Sequence, residues 1–147
     1  MDKLKIKRIH PDAILPKRAT NGSVGYDICA CIAEPLKLSA GGRVAVPTGI
    51  AIAIEEPDVA AFIFGRSGLG VKHGITLSNS VGVIDPDYRG EIHVGLINRS
   101  NEDYTIQPGE RIAQMILMPV ELPELIECTE LPQTMRGAGG FGSTGRT

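Results

Sequence analysis

Apolar residues along the chain recur in short alternating runs rather than at helical spacing. The clearest run leads from Val44 and Val46 to Ile50, Ile52 and Ile54, with small alanines between the last three. A period of two is typical of strands that bury one face. Further short apolar runs, each closed by turn residues, fall within residues 4–9, 62–64, 92–97, 104–106 and 112–118. The pattern therefore predicts a series of short strands.

Glycine and proline interrupt the chain so often that long helices have no place in it. The sequence holds 18 glycines and 10 prolines, and the longest stretch without either, residues 96–107, contains a polar run. Helix interiors avoid both residues, so only a single helical turn over residues 68–74 is compatible with the sequence. The chain is predicted to be all-β, built as a sandwich, a jelly roll or a barrel.

Size and charge narrow the classes of function. A chain of 147 residues has room for one domain, and its net charge of −2 gives no field for duplex nucleic acid or an anionic membrane. No apolar run is long enough to span a bilayer, and the charged N-terminus does not resemble a signal peptide. Three cysteines, an odd number, favour free thiols in a reducing compartment. We therefore expect a cytoplasmic protein that binds neither nucleic acid nor membranes.

Two internal segments carry candidate chemistry. Residues 75–84 are predicted to form two strands that close on a tight turn, a β-hairpin, and Asp85 follows them directly before a proline. A carboxylate at the end of a buried strand has a fixed direction and reduced hydration, which suits it to orienting a water molecule. The alternative is an aspartate that caps a turn. Arg66 and Ser67 follow another apolar run, where a phosphate can contact both. The histidines and cysteines match no zinc-binding spacing, so no transition-metal site is predicted.

The C-terminal residues 136–147 differ in composition from the rest, with five glycines, two arginines and no acidic residue. A frayed tail is the simplest interpretation, although Phe141 is an unusual residue for one. The glycine spacing matches a dinucleotide-binding pattern, but neither the strand nor the helix of that motif accompanies it, so we reject this interpretation. Bare backbone N–H groups together with Arg136, Ser143 and Thr144 remain suited to surrounding a phosphate.

Five motifs occur in order along the chain and are more specific together than any one alone. They are V-G-Y-D-I at residues 24–28, G-R-S-G-L at 65–69, G-V-I-D-P-D-Y-R-G at 82–90, G-E-R-I-A-Q-M at 109–115 and R-G-A-G-G-F-G-S-T-G at 136–145. In this order they resemble the motifs of the trimeric dUTPases, from about residue 4 to the end of the chain. One departure is Gly65, where that family more often has proline.

The resemblance implies an all-β, jelly-roll-like subunit, a distorted β-barrel, which forms a homotrimer with active sites at the subunit interfaces. Residues 1–135 would form the barrel domain, and residues 136–147 a flexible glycine-rich arm that closes over the active site. The implied activity is hydrolysis of dUTP to dUMP and pyrophosphate. This diphosphatase reaction of nucleotide metabolism keeps uracil out of DNA and supplies dUMP for dTMP synthesis.

The same resemblance implies contacts to the nucleoside. The residues concerned are Asn79, Val83, Ile84, Tyr88, His93 and Phe141. The Asn79 amide and the backbone of the third motif would recognise uracil, and Tyr88 would lie against the sugar and leave no room for a ribose 2′-hydroxyl. Phe141 would stack over the base. His93 falls near the pocket, and a strand histidine without a special role is an equal alternative.

Contacts to the phosphates are implied in the second, fourth and fifth motifs. The residues concerned are Arg66, Ser67, Gly68, Gln114, Arg136, Gly142, Ser143 and Thr144. Mg²⁺ would hold the triphosphate oxygens, with Asp27 acting through metal-bound water. Asp85 would orient and partly deprotonate a water molecule that attacks the α-phosphorus.

Two other functions compete with this interpretation. A dCTP deaminase shares the subunit fold, but it needs a glutamate on the strand after the third motif, where this chain has Gly95. It also lacks an arm like residues 136–145. The second alternative is a nucleotide-binding or regulatory module that keeps the fold and has lost turnover, although the residues implied above are all present.

Overall fold

A computed structural model describes residues 3–140. Strands account for 37% of the structure and helix for 5%. In this part of the chain there are eleven strands: β1 (Lys5–Arg8), β2 (Tyr26–Cys29), β3 (Leu36–Leu38), β4 (Arg43–Pro47), β5 (Ile50–Ala53), β6 (Val59–Phe64), β7 (Ile75–Leu77), β8 (Gly82–Ile84), β9 (His93–Asn98), β10 (Tyr104–Ile106) and β11 (Arg111–Pro119). The prediction of an all-β chain is confirmed.

One short helix, α1 (Ser67–His73), interrupts the series of strands between β6 and β7. It begins after Arg66, whose backbone is extended, and ends at Gly74, whose φ of 67° lies in the left-handed region. Glycine adopts that conformation without a steric penalty, which explains why the helix ends there. The helix coincides with the single turn predicted over residues 68–74.

The strands form four hydrogen-bonded sheets. Their strand orders are β1-β5, β3-β10, β2-β11-β6-β8 and β4-β9-β7, and all the pairs are antiparallel. The inward faces share one apolar core, in which Val46, Leu96, Ile106 and Met115 are fully buried. Hydrogen bonds do not close these strands of residues 3–140 into a continuous barrel.

The predicted hairpin over residues 75–84 is wrong. Strand β7 pairs with β9, with Thr76 opposite Ile97, whereas β8 pairs with β6, with Phe62 opposite Val83. The two strands therefore belong to different sheets, and the intervening turn crosses from one sheet to the other. Both strands carry a buried residue, Leu77 and Ile84 respectively. Local apolar patterning reports that burial, but it does not report which distant strand supplies the partner.

Strands β2 and β3 are additions to the strands that the apolar runs predict. The cysteines are unpaired, as expected from their number. No helix within residues 3–140 has the length and apolar character needed to cross a membrane.

Beyond β11, residues 121–138 are exposed and form neither strand nor helix. We call them the C-terminal segment. Several large apolar side chains in it are exposed to solvent: Leu122, Leu125, Ile126, Leu131 and Met135.

Candidate active site

A cavity of about 290 Å³ lies between β8 and β9, where the chain passes from one sheet to the other. We call it the β8–β9 cavity. Ile63, Leu77 and Ile92 give it apolar walls. Six residues that the resemblance singled out also line it: Asn79, Val83, Ile84, Asp85, Tyr88 and His93. The separation of β7 and β8 thus brings these residues together around one space.

At two positions in the cavity wall, neighbouring residues pack closely against a glycine. A Cβ atom on Gly95 would lie 2.6 Å from the Ser78 hydroxyl oxygen, and one on Gly82 would lie 3.1 Å from the Ile63 Cβ atom. Both distances are shorter than an ordinary contact, so the Ser78 side chain and Ile63 on β6 approach this closely because the facing residues are glycines. The position at which a deaminase would carry a glutamate therefore lies against the Ser78 turn.

Asp85 directly follows β8, at the edge of the cavity. Ile84 before it is buried, which fixes the direction of the backbone. The Asp85 carbonyl oxygen accepts a hydrogen bond of 3.1 Å from the Tyr88 N–H, so the residue also starts a turn. Its side chain is exposed in the single chain, and the expected reduction in hydration is not found there.

Glu91 connects two of the cavity residues, and sequence reasoning missed it. The Tyr88 hydroxyl donates to the Glu91 carbonyl oxygen at 2.9 Å, and His93 Nδ1 lies 3.3 Å from the same oxygen. The Glu91 carboxylate accepts a 2.8 Å hydrogen bond from the Gly49 N–H, 42 residues earlier in the chain. No local pattern signals a bond across that separation.

A second group of polar residues lies on the sheet that contains β2, β6 and β11. The Asp27 carboxylate accepts a hydrogen bond from Arg66 Nε at 3.1 Å through one oxygen and from Arg111 Nη1 at 3.0 Å through the other. Arg66 also donates to the Arg111 carbonyl oxygen at 3.2 Å. We call these three residues the arginine cluster. Two guanidinium groups against one carboxylate leave a net positive charge, which favours anions.

Gln114 and the start of α1 lie next to the arginine cluster in the fold. Gln114 on β11 donates to the Gly65 carbonyl oxygen at 3.0 Å, immediately before Arg66. A Cβ atom on Gly25 would lie 2.6 Å from the Gln114 side-chain oxygen, so a larger residue in the first motif would displace the Gln114 amide. Ser67 and Gly68 are exposed in the first turn of α1. The first, second and fourth motifs therefore meet on one sheet.

Comparisons with known proteins agree on one family. The family described as dUTPase matches residues 11–145 of this chain. The chain belongs to the dUTPase family.

Curated dUTPases resemble it over most of their length. The deoxyuridine 5'-triphosphate nucleotidohydrolase of Psychrobacter cryohalolentis is 53% identical over 133 residues, which cover 90% of this chain and 86% of the relative. The enzyme of the same name from Shigella flexneri is 47% identical and covers 99% of both chains.

Solved dUTPases share the fold. A dUTPase of Staphylococcus bacteriophage 80alpha with bound dUpNHpp has a TM-score of 0.89, with 26% identity and 99% of both chains covered. A mutant dUTPase of phage phi11 of S. aureus, solved to describe the coordination of a structural Mg(II) ion, has a TM-score of 0.80 at 22% identity and covers 90% of this chain and all of its own.

Within the dUTPase chain, the arginine cluster and the cavity are separate. Asp27, Arg66, Ser67, Gly68 and Gln114 do not line the β8–β9 cavity. The single chain therefore presents two groups of motif residues, only one of which lines the cavity.

The fifth motif is only partly described. Arg136 lies in the exposed C-terminal segment, where its Nε donates to the Gly139 carbonyl oxygen at 2.8 Å. Phe141, Gly142, Ser143 and Thr144 lie outside the described residues.

The donors near Asp27 fit a magnesium ion that is held mainly by its substrate. Within residues 3–140, no group of three histidine, cysteine or acidic residues is placed to hold a metal ion. Each Asp27 oxygen already accepts a bond from an arginine, which leaves lone pairs for a water molecule rather than a place for direct ligation. Mg²⁺ commonly keeps several waters and is bound through one carboxylate and substrate phosphates.

Cys29, next to the arginine cluster in the fold, is not an activated nucleophile. Burial raises the pKa of its thiol above 9.0, and the negative charge of Asp27 adds to this increase, against the opposing effect of Arg111 and Arg66. The group is therefore a neutral thiol at physiological pH.

Proposed function

We propose that this chain is a dUTP diphosphatase, which hydrolyses dUTP to dUMP and pyrophosphate by attack of water on the α-phosphorus. The observation that carries the proposal is the β8–β9 cavity, lined by third-motif residues in a chain that belongs to the dUTPase family. Such an enzyme keeps uracil out of DNA and supplies dUMP for dTMP synthesis.

The β8–β9 cavity suits a pyrimidine base. Its apolar walls give a flat ring a place to be buried, and the Asn79 amide with the backbone of Val83 and Ile84 supplies donors and acceptors for the base edge. Cytosine presents the opposite hydrogen-bonding groups at ring position 3 and at the exocyclic group on carbon 4, so its binding would leave buried polar groups unpaired. Tyr88 at the mouth would lie against the deoxyribose.

Asp85 is the residue we assign to activating water. It lies at the edge of the cavity that receives the base, and its backbone direction is fixed by Ile84 and by the turn to Tyr88. A carboxylate held in this way accepts a proton from water as the oxygen attacks phosphorus. Its exposure in the single chain means that the low hydration favourable to catalysis must come from ligand and from neighbouring chain segments.

The arginine cluster and the N-terminal turn of α1 are the groups we assign to the phosphates. Arg66, Ser67, Gly68 and Gln114 offer charged and neutral donors close together, and Arg136 with Gly142, Ser143 and Thr144 would hold the far end of the triphosphate. Phosphoryl transfer depends mainly on positioning and electrostatic stabilisation, which these groups supply. Bound Mg²⁺ would neutralise phosphate charge, with Asp27 oriented toward its water shell.

We further propose that the active protein is a homotrimer. The cavity and the arginine cluster lie apart on one chain, so a complete site needs a second copy to bring them together. The C-terminal segment repeats in threes, with glutamates at 121, 124, 127 and 130 and apolar residues Leu122, Leu125, Cys128 and Leu131 after them. An extended chain with three residues per turn separates these into an acidic and an apolar face. Exposed apolar faces of this kind commonly cover a partner.

We propose residues 1–135 as the domain proper and 136–147 as the closing arm. Removal of residues 136–147 is expected to leave a folded protein with strongly reduced dUTP hydrolysis. Light scattering should give three times the mass of its own chain for each form, 15.6 kDa being the mass of the full chain. Full activity of the shortened chain would contradict the role of the arm, and a monomer with full activity would contradict the trimer.

The function is tested with a panel of the common deoxynucleoside triphosphates and Mg²⁺, separated by chromatography after incubation. The expected result is dUMP and pyrophosphate from dUTP alone. Conversion of dCTP to dUTP would instead support a deaminase, which Gly95 argues against because it provides no carboxylate. Binding of dUTP without turnover would support a regulatory module.

A further inference from the structure

The mouth of the β8–β9 cavity is held in place by the turn that follows β4, the strand paired with β9. The turn between β4 and β5 contains Thr48 and Gly49. Thr48 is 1% exposed, and its hydroxyl donates to the Ile92 carbonyl oxygen at 2.6 Å. The Ile92 N–H donates to the Ile50 carbonyl oxygen at 2.9 Å. The backbone leading into β9 is therefore fixed at Ile92.

Glu91, one residue earlier, joins the same turn through its side chain. Its carboxylate accepts the Gly49 N–H at 2.8 Å. Only glycine fits at position 49, because its φ is +67° and a Cβ there would lie 2.7 Å from Ala13 Cβ and 2.8 Å from Cys31 Sγ. The Gly49 carbonyl oxygen accepts the Ile9 and His10 N–H groups at 2.7 and 3.2 Å, which holds the turn in place. The donor is thus held rigidly, and the Glu91 side chain is three-quarters buried against it.

The position of the Glu91 carbonyl oxygen in turn determines where the Tyr88 ring lies. That oxygen accepts the Tyr88 hydroxyl at 2.9 Å. Gly90 lies between them, and a Cβ there would overlap the Tyr88 hydroxyl. The Tyr88 side chain is 46% exposed, so packing alone does not hold the ring in one orientation. The hydrogen bond to Glu91 is what gives the ring a fixed position at the cavity mouth.

We propose that Glu91 is a positioning residue for sugar discrimination. Together with the bond from the Ile92 N–H to the Ile50 carbonyl oxygen, its bond to the Gly49 N–H fixes the carbonyl oxygen that holds the Tyr88 hydroxyl, and the fixed ring excludes a ribose 2′-hydroxyl. This inference rests on the proposed function, in which Tyr88 faces the sugar. Without Glu91, the Tyr88 ring can move aside and admit the 2′-hydroxyl of UTP. Loss of Glu91 therefore weakens the preference for dUTP over UTP more than it slows the reaction of dUTP.

The test compares kcat and KM for dUTP and UTP in the full-length protein with Mg²⁺. Glu91→Ala is expected to lower the ratio of the two kcat/KM values about tenfold, the usual size of a lost partly buried hydrogen bond. Glu91→Gln keeps an oxygen that accepts the Gly49 N–H, so its ratio should stay within about twofold of the native value. Equal ratios in Glu91→Ala and the native protein, or equal losses in both Glu91 variants, would overturn the inference.

Tyr88→Phe provides a second route that does not disturb the anchor to Gly49. It keeps the ring and removes the hydroxyl, and it should lower the ratio by a similar factor. Adding Glu91→Ala to Tyr88→Phe should then lower it little further, because both changes break one chain of contacts. An unchanged ratio in Tyr88→Phe, or fully additive losses in the double variant, contradicts the proposal.

Asp103→Ala is the matched control, since that carboxylate also accepts a backbone N–H, from Ala40 at 3.0 Å, but does not line the cavity. Its dUTP-to-UTP ratio should equal that of the native protein, and a fall as large as that of Glu91→Ala would show that the readout reports general loosening and would overturn the inference. A native protein that leaves dUTP intact contradicts the proposed function itself, whereas a native enzyme whose ratio survives Glu91→Ala contradicts only this inference.

Discussion

The β8–β9 cavity and the arginine cluster are built in different ways. The cavity residues assigned from the resemblance all fall within residues 79–93, and backbone direction and the absence of side chains at Gly82 and Gly95 give the cavity its shape. The arginine cluster joins Asp27 to residues 39 and 84 positions later, and charge holds it together. The cavity depends on excluded volume and the arginine cluster on electrostatics. Different substitutions should therefore impair the function of each.

The largest effect is expected from Asp85→Asn at the edge of the cavity. An amide cannot accept the proton of the attacking water, so kcat should fall about 10²- to 10⁴-fold while KM changes little. Pyrophosphate release at saturating dUTP measures it. Asp87→Asn, two residues away and also exposed, is the control and should keep its kcat. A near-native kcat in Asp85→Asn would refute the assignment of Asp85.

Arg66→Ala tests the arginine cluster. Loss of a charged donor to phosphate should lower kcat/KM for dUTP about 10- to 100-fold. Arg111→Ala breaks a bond to the same Asp27 carboxylate and is expected to lower thermal stability with a smaller kinetic effect. Uncharged deoxyuridine, used as a competitive ligand, should bind both variants as it binds the native protein. A matching loss of deoxyuridine affinity would mean that the cavity and the cluster are not independent.

Gly95→Ala tests the wall of the cavity. Its Cβ would lie 2.6 Å from the Ser78 hydroxyl oxygen, so that hydroxyl or the turn that carries it must shift, and KM should rise by up to about tenfold. The additional change Ser78→Ala removes the colliding oxygen and should restore much of the affinity. Gly22→Ala is the control, because no atom lies within 4 Å of its added Cβ. Tight binding in Gly95→Ala would show that the turn is free to move.

The smallest effect is expected at Tyr104, which belongs to neither site. Burial, together with the hydrogen bond and negative charge of Glu110, raises the pKa of its phenol from 10.0 to about 12. A raised pKa in the folded state gives stability that is complete below pH 10 and is lost as the pH rises toward 12. The melting temperature of the native protein should therefore fall over that interval. The melting temperature of Tyr104→Phe should fall less. Parallel declines would contradict the shift.

The contrast between the two sites also explains what the sequence could predict. Alternation of apolar residues was enough for β4, β5 and β9, and motif order was enough to assign Asn79, Asp85 and Tyr88 to one pocket. These features depend on neighbours along the chain. Strand pairing does not, and the predicted hairpin failed because β7 and β8 each find their partner elsewhere.

Two polar residues were missed for the same reason. Arg111 reaches Asp27 only because β11 pairs with β2, and Glu91 reaches Gly49 only because the β4–β5 turn lies behind the cavity. Each contact joins residues more than 40 positions apart. Arg111 lies within the fourth motif and Glu91 directly follows the third, but neither motif shows which distant residue each one contacts, so the assignment needs the fold.

The passage of the chain from one sheet to another after β7 has a mechanical consequence. A molecule bound in the β8–β9 cavity contacts strands of both sheets and links them. Its binding energy opposes the parting of the two layers and so adds to resistance against unfolding. Amide protons of β7 and β8 should then exchange with solvent more slowly when dUMP is present. A filled cavity therefore makes the junction between the two sheets more rigid.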